Sequence, residues 1–179
     1  MRNLTKTLSN FSLFTFIALV FCSLQSSSWF FLFNQHTSPQ TWLPILVYWS
    51  LYRRPFESLI MIYILSFTMT SQTATPLGMI LTLQISLYYT AYTLKSRLYQ
   101  PGAVFFMTAT GILTLLSPIF HLILSYFLEV NVIDQFYFMD WVLNALLTSL
   151  FALPCHLLFV WFDDLTDMVL PTETGRQFG

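Results

Sequence analysis

Residues 40–70 read QTWLPILVYWSLYRRPFESLIMIYILSFTMT: two short apolar stretches, Gln40 to Tyr52 and Phe56 to Thr70, parted by Arg53, Arg54 and Pro55. A membrane crossing needs roughly 20 mainly apolar residues, rising 1.5 Å each, to span about 30 Å of hydrocarbon. Each stretch reaches only about 20 Å at that rise. Such segments thin the bilayer, borrow flanking residues, or pair as a buried half-membrane hairpin. Counting them as crossings or not decides how often the chain traverses the bilayer and which side each loop faces.

Longer apolar runs lie on both sides of this stretch, at about 8–24, 77–94, 103–128 and 141–162. With the two short stretches, about 40–52 and 56–70, the crossings number six. Six of the seven basic residues then fall on one side, as Arg2/Lys6, Arg53/Arg54 and Lys95/Arg97. The opposite loops, near Gln35, Thr73 and Asp134, hold no Lys or Arg. By the positive-inside rule the basic side is the cytoplasm and both termini face it, and this agreement supports the two short crossings. The expected fold is all-α: a polytopic membrane helix bundle of about six transmembrane helices, two of them short, forming one domain over residues 1–179.

Composition points the same way. The chain is 56% apolar and 18% aromatic with 8% charged residues, against roughly a quarter charged in soluble domains, so too few charges remain to coat a globule. A net charge of -1 supplies no broad basic surface, which disfavours nucleic acid as a partner and leaves membrane lipids as the surroundings. Cys22 and Cys155 sit in apolar runs without CxxC or Cys/His spacing, giving neither a zinc site nor a disulfide framework. The first run, behind Arg2 and Lys6, has the form of a signal peptide with a cleavage point near Ser26, but its length favours an uncleaved helix.

No charge falls in mid-segment, where membrane enzymes, pumps and channels keep ionisable groups for function. His121 and His156 are isolated, and there is no HExxH, nucleophile triad or phosphate loop. The sequence therefore predicts no catalytic residue, cofactor or metal, and shows no convergent polar constellation that picks out a small-molecule ligand. It carries instead small and hydroxyl residues at helical spacing: Thr110, Thr114, Ser117 and His121; Thr82, Ser86, Thr90 and Thr93; Asn144, Thr148, Ala152 and Cys155. Such stripes let helix backbones approach while hydroxyls bond across the contact, so Thr110, Thr114, Ser117, Asn144 and Thr148 are candidate packing residues. The polar stretch from Thr68 to Thr75 reads as a solvated loop or a substrate vestibule. The loop from Glu129 to Asp140 reads as a solvated connection or a docking surface built on Phe136, Tyr137 and Phe138.

The run LVYWSLYRRP, Leu46 to Pro55, resembles the second-helix signature of the rod-shape-determining MreD family, in which a Tyr-Trp pair, here Tyr48 and Trp49, is followed six residues on by proline, here Pro55. Thr75-Pro-Leu-Gly78 is similar to the Leu-Gly, here Leu77 and Gly78, that opens the next long helix of that family. The resemblance covers about Leu43 to Tyr99. Ser66 and Thr70 stand where the family usually has Gly and Asp, so that carboxylate has no counterpart here. The resemblance implies a non-enzymatic subunit of the bacterial cell-elongation machinery in the inner membrane, binding MreC and linking the cytoskeleton to peptidoglycan synthesis. The alternative is the substrate-binding membrane subunit of a vitamin importer, a class of small six-helix bundles to which MreD is similar.

Overall fold

The computed structural model describes residues 4–25, 38–73, 75–98, 102–128 and 138–167, and among them it holds six helices and no strand. These are α1 (Leu4–Ser23), α2 (Leu43–Tyr52), α3 (Pro55–Thr70), α4 (Leu77–Leu98), α5 (Ala103–Leu128) and α6 (Phe138–Leu165). Three of them, α1, α5 and α6, are long and apolar enough to cross a membrane, while α2 and α3 are apolar but shorter. The protein is an all-helical, multi-pass membrane bundle. Residues 26–37 and 129–137, with the serines near Ser26, the aromatic patch after them and most of the acidic loop, lie outside the described residues.

Side-chain pairings fix the direction of each helix. Asn10 meets Asp163, Phe14 packs on Phe159 and Phe21 on Phe151, so α1 and α6 are antiparallel. Gln40 reaches Thr148 and Tyr48 reaches Asp163, so α2 runs with α6. Cys22 lies beside Thr68 and Ser23 beside Gln72, which sets α3 alongside α1 in the same sense. Ser66 bonds Gln84 across the return to α4. Met107 meets Ser149 and Leu115 meets Trp141, making α5 and α6 antiparallel. The six helices alternate, and Lys6, Arg53, Arg54, Lys95 and Arg97 gather at one end.

The helix bounds differ from the sequence reading at several ends. Helix α4 continues through Lys95 and Arg97 to Leu98, and α6 runs from Phe138 to Leu165, so Asp163 lies inside a helix that reaches beyond the 141–162 expected. Pro118 and Pro154 sit inside unbroken helices.

Helix α2 explains how so short an element fits. All ten of its residues are buried, so its length of about 15 Å faces protein and not lipid. A helix that is apolar all round belongs in the middle of a bundle. Its ends still present backbone groups that hydrocarbon cannot satisfy. At one end the Gln40 N–H donates to Thr148 Oγ1 at 2.9 Å, and Thr41 donates from its N–H to Gln25 Oε1 at 3.2 Å and from its hydroxyl to the Phe21 carbonyl at 2.8 Å. At the other, Ser58 donates to the Trp49 carbonyl at 2.7 Å.

Around α2 the core is aromatic. Phe14 meets Trp49 edge-on at 5.3 Å between centroids, and Tyr48 meets Phe159 at 5.1 Å. Such pairs add about 0.5–1.5 kcal/mol each beyond area burial. On the outside, α6 presents Leu143, Leu146, Leu150, Leu153, Leu157 and Trp161 at helical spacing, while hydroxyls point inward. Helices α5 and α6 are in close contact at Gly111, where an added Cβ would lie 3.2 Å from Ser149 Oγ.

Candidate functional site

Pro55 creates the first feature. A residue before proline is driven out of the helical region, and Arg54 sits at φ -72, ψ 147. Arg53, the residue capping α2, is extended too, at φ -113, ψ 169. The chain turns here, and the Arg53 side chain, 0% exposed, enters the bundle instead of reaching for headgroups.

There it forms a buried ion pair with Asp163 of α6, donating from Nη2 to Oδ1. The same nitrogen donates to Asn10 Oδ1 at 3.1 Å. Asn10 Nδ2 donates to Asp163 Oδ1 at 2.9 Å and to Thr166 Oγ1 at 2.8 Å. The Tyr48 hydroxyl donates to Asp163 Oδ2 at 2.6 Å. One carboxylate thus accepts from three side chains. Arg53 Nε and Nη1 have no hydrogen-bond acceptor among the described residues; the guanidinium faces the Trp49 ring, 5.3 Å from its centroid. This polar clasp joins α1, the α2–α3 corner and the end of α6.

A buried pair of this kind adds little net stability against an apolar replacement, but loss of one partner strands a charge. Its chemistry is positional: the charges are spent on each other. The sequence reading, with charges only at segment ends, missed it because Arg53 and Asp163 each look like residues that reach for water. His156 stands nearby, its ring 5.2 Å from Phe106 and 6.0 Å from Tyr52. His121 lies toward the opposite end beside Trp42 and Thr75, so the two histidines do not share a site. No group of three or more His, Cys, Asp or Glu able to hold a metal occurs among the described residues.

The residues singled out in sequence take distinct places. Thr110, Thr114, Ser117 and Thr148 are buried, and Asn144 is half-buried, accepting from Thr148 Oγ1 at 3.1 Å. Tyr48 and Trp49 are buried at the heart of α2. Pro55 begins α3, and Leu77 and Gly78 begin α4. Ser66 is buried and donates to Gln84 Oε1 at 3.0 Å, while Thr70 donates back to the Ser66 carbonyl.

One stripe departs from the expectation of a face packed within the bundle. On α4, Gly78, Thr82 and Thr93 are exposed, and Ser86 and Thr90 are half-buried. Thr82, Ser86, Thr90 and Thr93 each donate to the carbonyl four residues earlier, so the hydroxyls satisfy themselves within their own helix. Tyr89 and Tyr92 flank the stripe, exposed. The spacing revealed a face but not its direction: buried Leu83, Gln84, Leu87 and Tyr88 supply the inner side.

Comparison with known families, with curated proteins and with solved structures finds no match.

Proposed function

We propose that this protein is a non-enzymatic scaffold subunit of the bacterial cell-elongation machinery, similar to MreD, that binds MreC in the inner membrane and links the cytoskeleton to peptidoglycan synthesis. The basic end of the bundle, with both termini, faces the cytoplasm in this reading, following the positive-inside rule. The observation that carries it is the outward face of α4. Small and hydroxyl residues allow another helix to approach closely in a bilayer, where lipid gives no hydrophobic drive for association. Helix α4 exposes Gly78, Thr82 and Thr93, with Ser86 and Thr90 half-buried along the same stripe, whereas α6 turns out leucines suited to lipid. The clasp supports the same role by fixing the corner from which the α3–α4 hairpin rises.

The resemblance in Tyr48, Trp49, Pro55, Leu77 and Gly78 adds to this, because each of these residues has a place in the fold. Tyr48 donates to the clasp, Trp49 packs in the aromatic core, Pro55 starts α3, and Leu77 with Gly78 opens α4. The test is crosslinking and capture from native membranes with the tagged chain at natural expression level, partners being identified by mass spectrometry. Recovery of MreC and wall synthases is expected. Recovery of a pair of ATPases with a coupling subunit overturns the scaffold in favour of an importer.

A further inference from the structure

The hydrogen bond between Ser66 and Gln84, 3.0 Å long, sets the register of the antiparallel pair α3 and α4. Pro55 on α3 and Lys95 on α4 each stand about 16 Å, three turns, from it toward the basic end, so the two share one level. A step of eleven residues closes almost on whole turns, and Lys95 therefore leaves α4 on the face that Gln84 turns to α3. Helix α4 is still seated at this level: Ala91, one turn earlier, is buried, and Leu94 packs on the core. Arg54 immediately precedes Pro55 at the corner. Arg54 and Lys95 thus stand on either side of the mouth of the α3–α4 seam, on axes about 8–10 Å apart.

These two cations differ from their neighbours. Arg53 turns inward to Asp163, and Lys6 pairs with Asp167. Arg54 is exposed and Lys95 half-buried, and neither has a carboxylate partner among the described residues. Glu57 leaves α3 on the side away from Ser66, two and a half turns of helix separating them. Asp164 and Asp167 belong to the end of α6, which packs on α1, α2 and α5. A phosphate between Arg54 and Lys95 gains charge-assisted hydrogen bonds from a planar fork and from a point charge. Farther along the seam the outer surface is apolar and aromatic. The helical rotation that turns Ser66 and Gln84 toward each other brings Leu59 and Tyr63 of α3, and Tyr89 and Tyr92 of α4, to its outer side, and all four are exposed. Tyr92 stacks on Tyr88, which is buried, and so stands about one turn from Lys95, at the depth where tyrosines meet headgroups.

We propose that the basic end of the α3–α4 seam binds an anionic phospholipid, with its phosphate between Arg54 and Lys95 and an acyl chain along Leu59, Tyr63 and Tyr92. Free phosphate would use the cations and leave the apolar track uncovered, which is why the occupant is a lipid. The seam lies beside the stripe from Thr82 to Thr93, and the proposal is independent of the scaffold reading, which is tested by partner capture.

The probe is phosphatidylglycerol carrying a dansyl group on one acyl chain, mixed with the full chain in detergent micelles and read by energy transfer from tryptophan. Saturable transfer is expected, with unlabelled phosphatidylglycerol displacing the probe roughly tenfold more effectively than phosphatidylcholine. Inorganic phosphate at millimolar concentration is expected to displace none. Arg54→Gln and Lys95→Gln should each weaken binding about fivefold. Arg97→Gln removes the same charge at the same end, but Arg97 is exposed on the opposite side of α4 from Lys95, and this variant should bind as the parent does. Arg54 is exposed, so Arg54→Gln is expected to keep the unfolding midpoint and decides the test if Lys95→Gln fails to fold. Equal displacement by the two lipids, equal loss in Arg54→Gln and Arg97→Gln, or displacement by inorganic phosphate overturns the proposal.

Discussion

Replacing Asp163 with Leu removes the acceptor shared by Arg53, Asn10 and Tyr48 and leaves the Arg53 guanidinium, 0% exposed, with Asn10 Oδ1 and the Trp49 ring as its remaining company. Breaking a buried pair from one side costs about 3–5 kcal/mol. Arg53→Met leaves the carboxylate with two hydrogen-bond donors, Tyr48 and Asn10, and falls toward the lower end of that range. The double replacement buries no charge and keeps apolar volume, a change that is often neutral or stabilising. It should therefore be more stable than either single variant, with a coupling of at least about 2 kcal/mol. Reversible unfolding by dodecyl sulfate in mixed micelles, followed by circular dichroism, measures all four proteins. Single variants within about 1 kcal/mol of the parent, the scale of a solvated pair, would refute the buried clasp. So would a double variant that loses the sum of the two.

Gly111→Leu forces a side chain against Ser149 Oγ, 3.2 Å from the position of its Cβ, and should cost about 1–3 kcal/mol in the same assay, part of which Ser149→Ala restores. A charge tests the two kinds of hydroxyl stripe: Thr114→Asp, at a fully buried position, should abolish accumulation of folded protein, whereas Thr82→Asp, at an exposed one, should leave the fold and reduce partner capture. Near the chain end, the hydrogen bond from Lys6, and then its charge, hold the Asp167 carboxyl below its usual range. A depressed carboxylate supports the fold above its unfolded value, near pH 4, and loses that support as pH falls through the folded value. Asp167→Asn should accordingly lower the unfolding midpoint slightly at neutral pH, and its difference from the parent should vanish as pH falls well below 4, measured by unfolding midpoint against pH.

The alternation of the six helices was legible because Arg53 and Arg54 interrupt two short apolar stretches and fall in step with Lys6, Lys95 and Arg97. The depth of α2 was not. An all-apolar helix reads the same whether lipid or protein surrounds it, and only the packing of Phe14, Phe106 and Phe159 around Tyr48 decides the matter. The clasp was hidden for a different reason. Its charged partners stand 110 residues apart, each beside a segment end where a long or acidic side chain normally reaches water. On α4 the spacing of Thr82, Ser86, Thr90 and Thr93 defined a face, but hydroxyls at that spacing serve an inner contact and an outer one equally well. Thr110, Thr114 and Thr148 carry the same pattern and are buried.

A scan with a photocrosslinking residue placed singly at Thr82, Ser86 and Thr90 on α4, and at Leu146, Leu150 and Leu157 on α6, in native membranes, tests the proposed scaffold most directly. The account predicts discrete protein adducts from the α4 positions, containing MreC, and only lipid adducts from the α6 leucines. Lipid adducts alone from α4, or the same protein adducts from both helices, would contradict it.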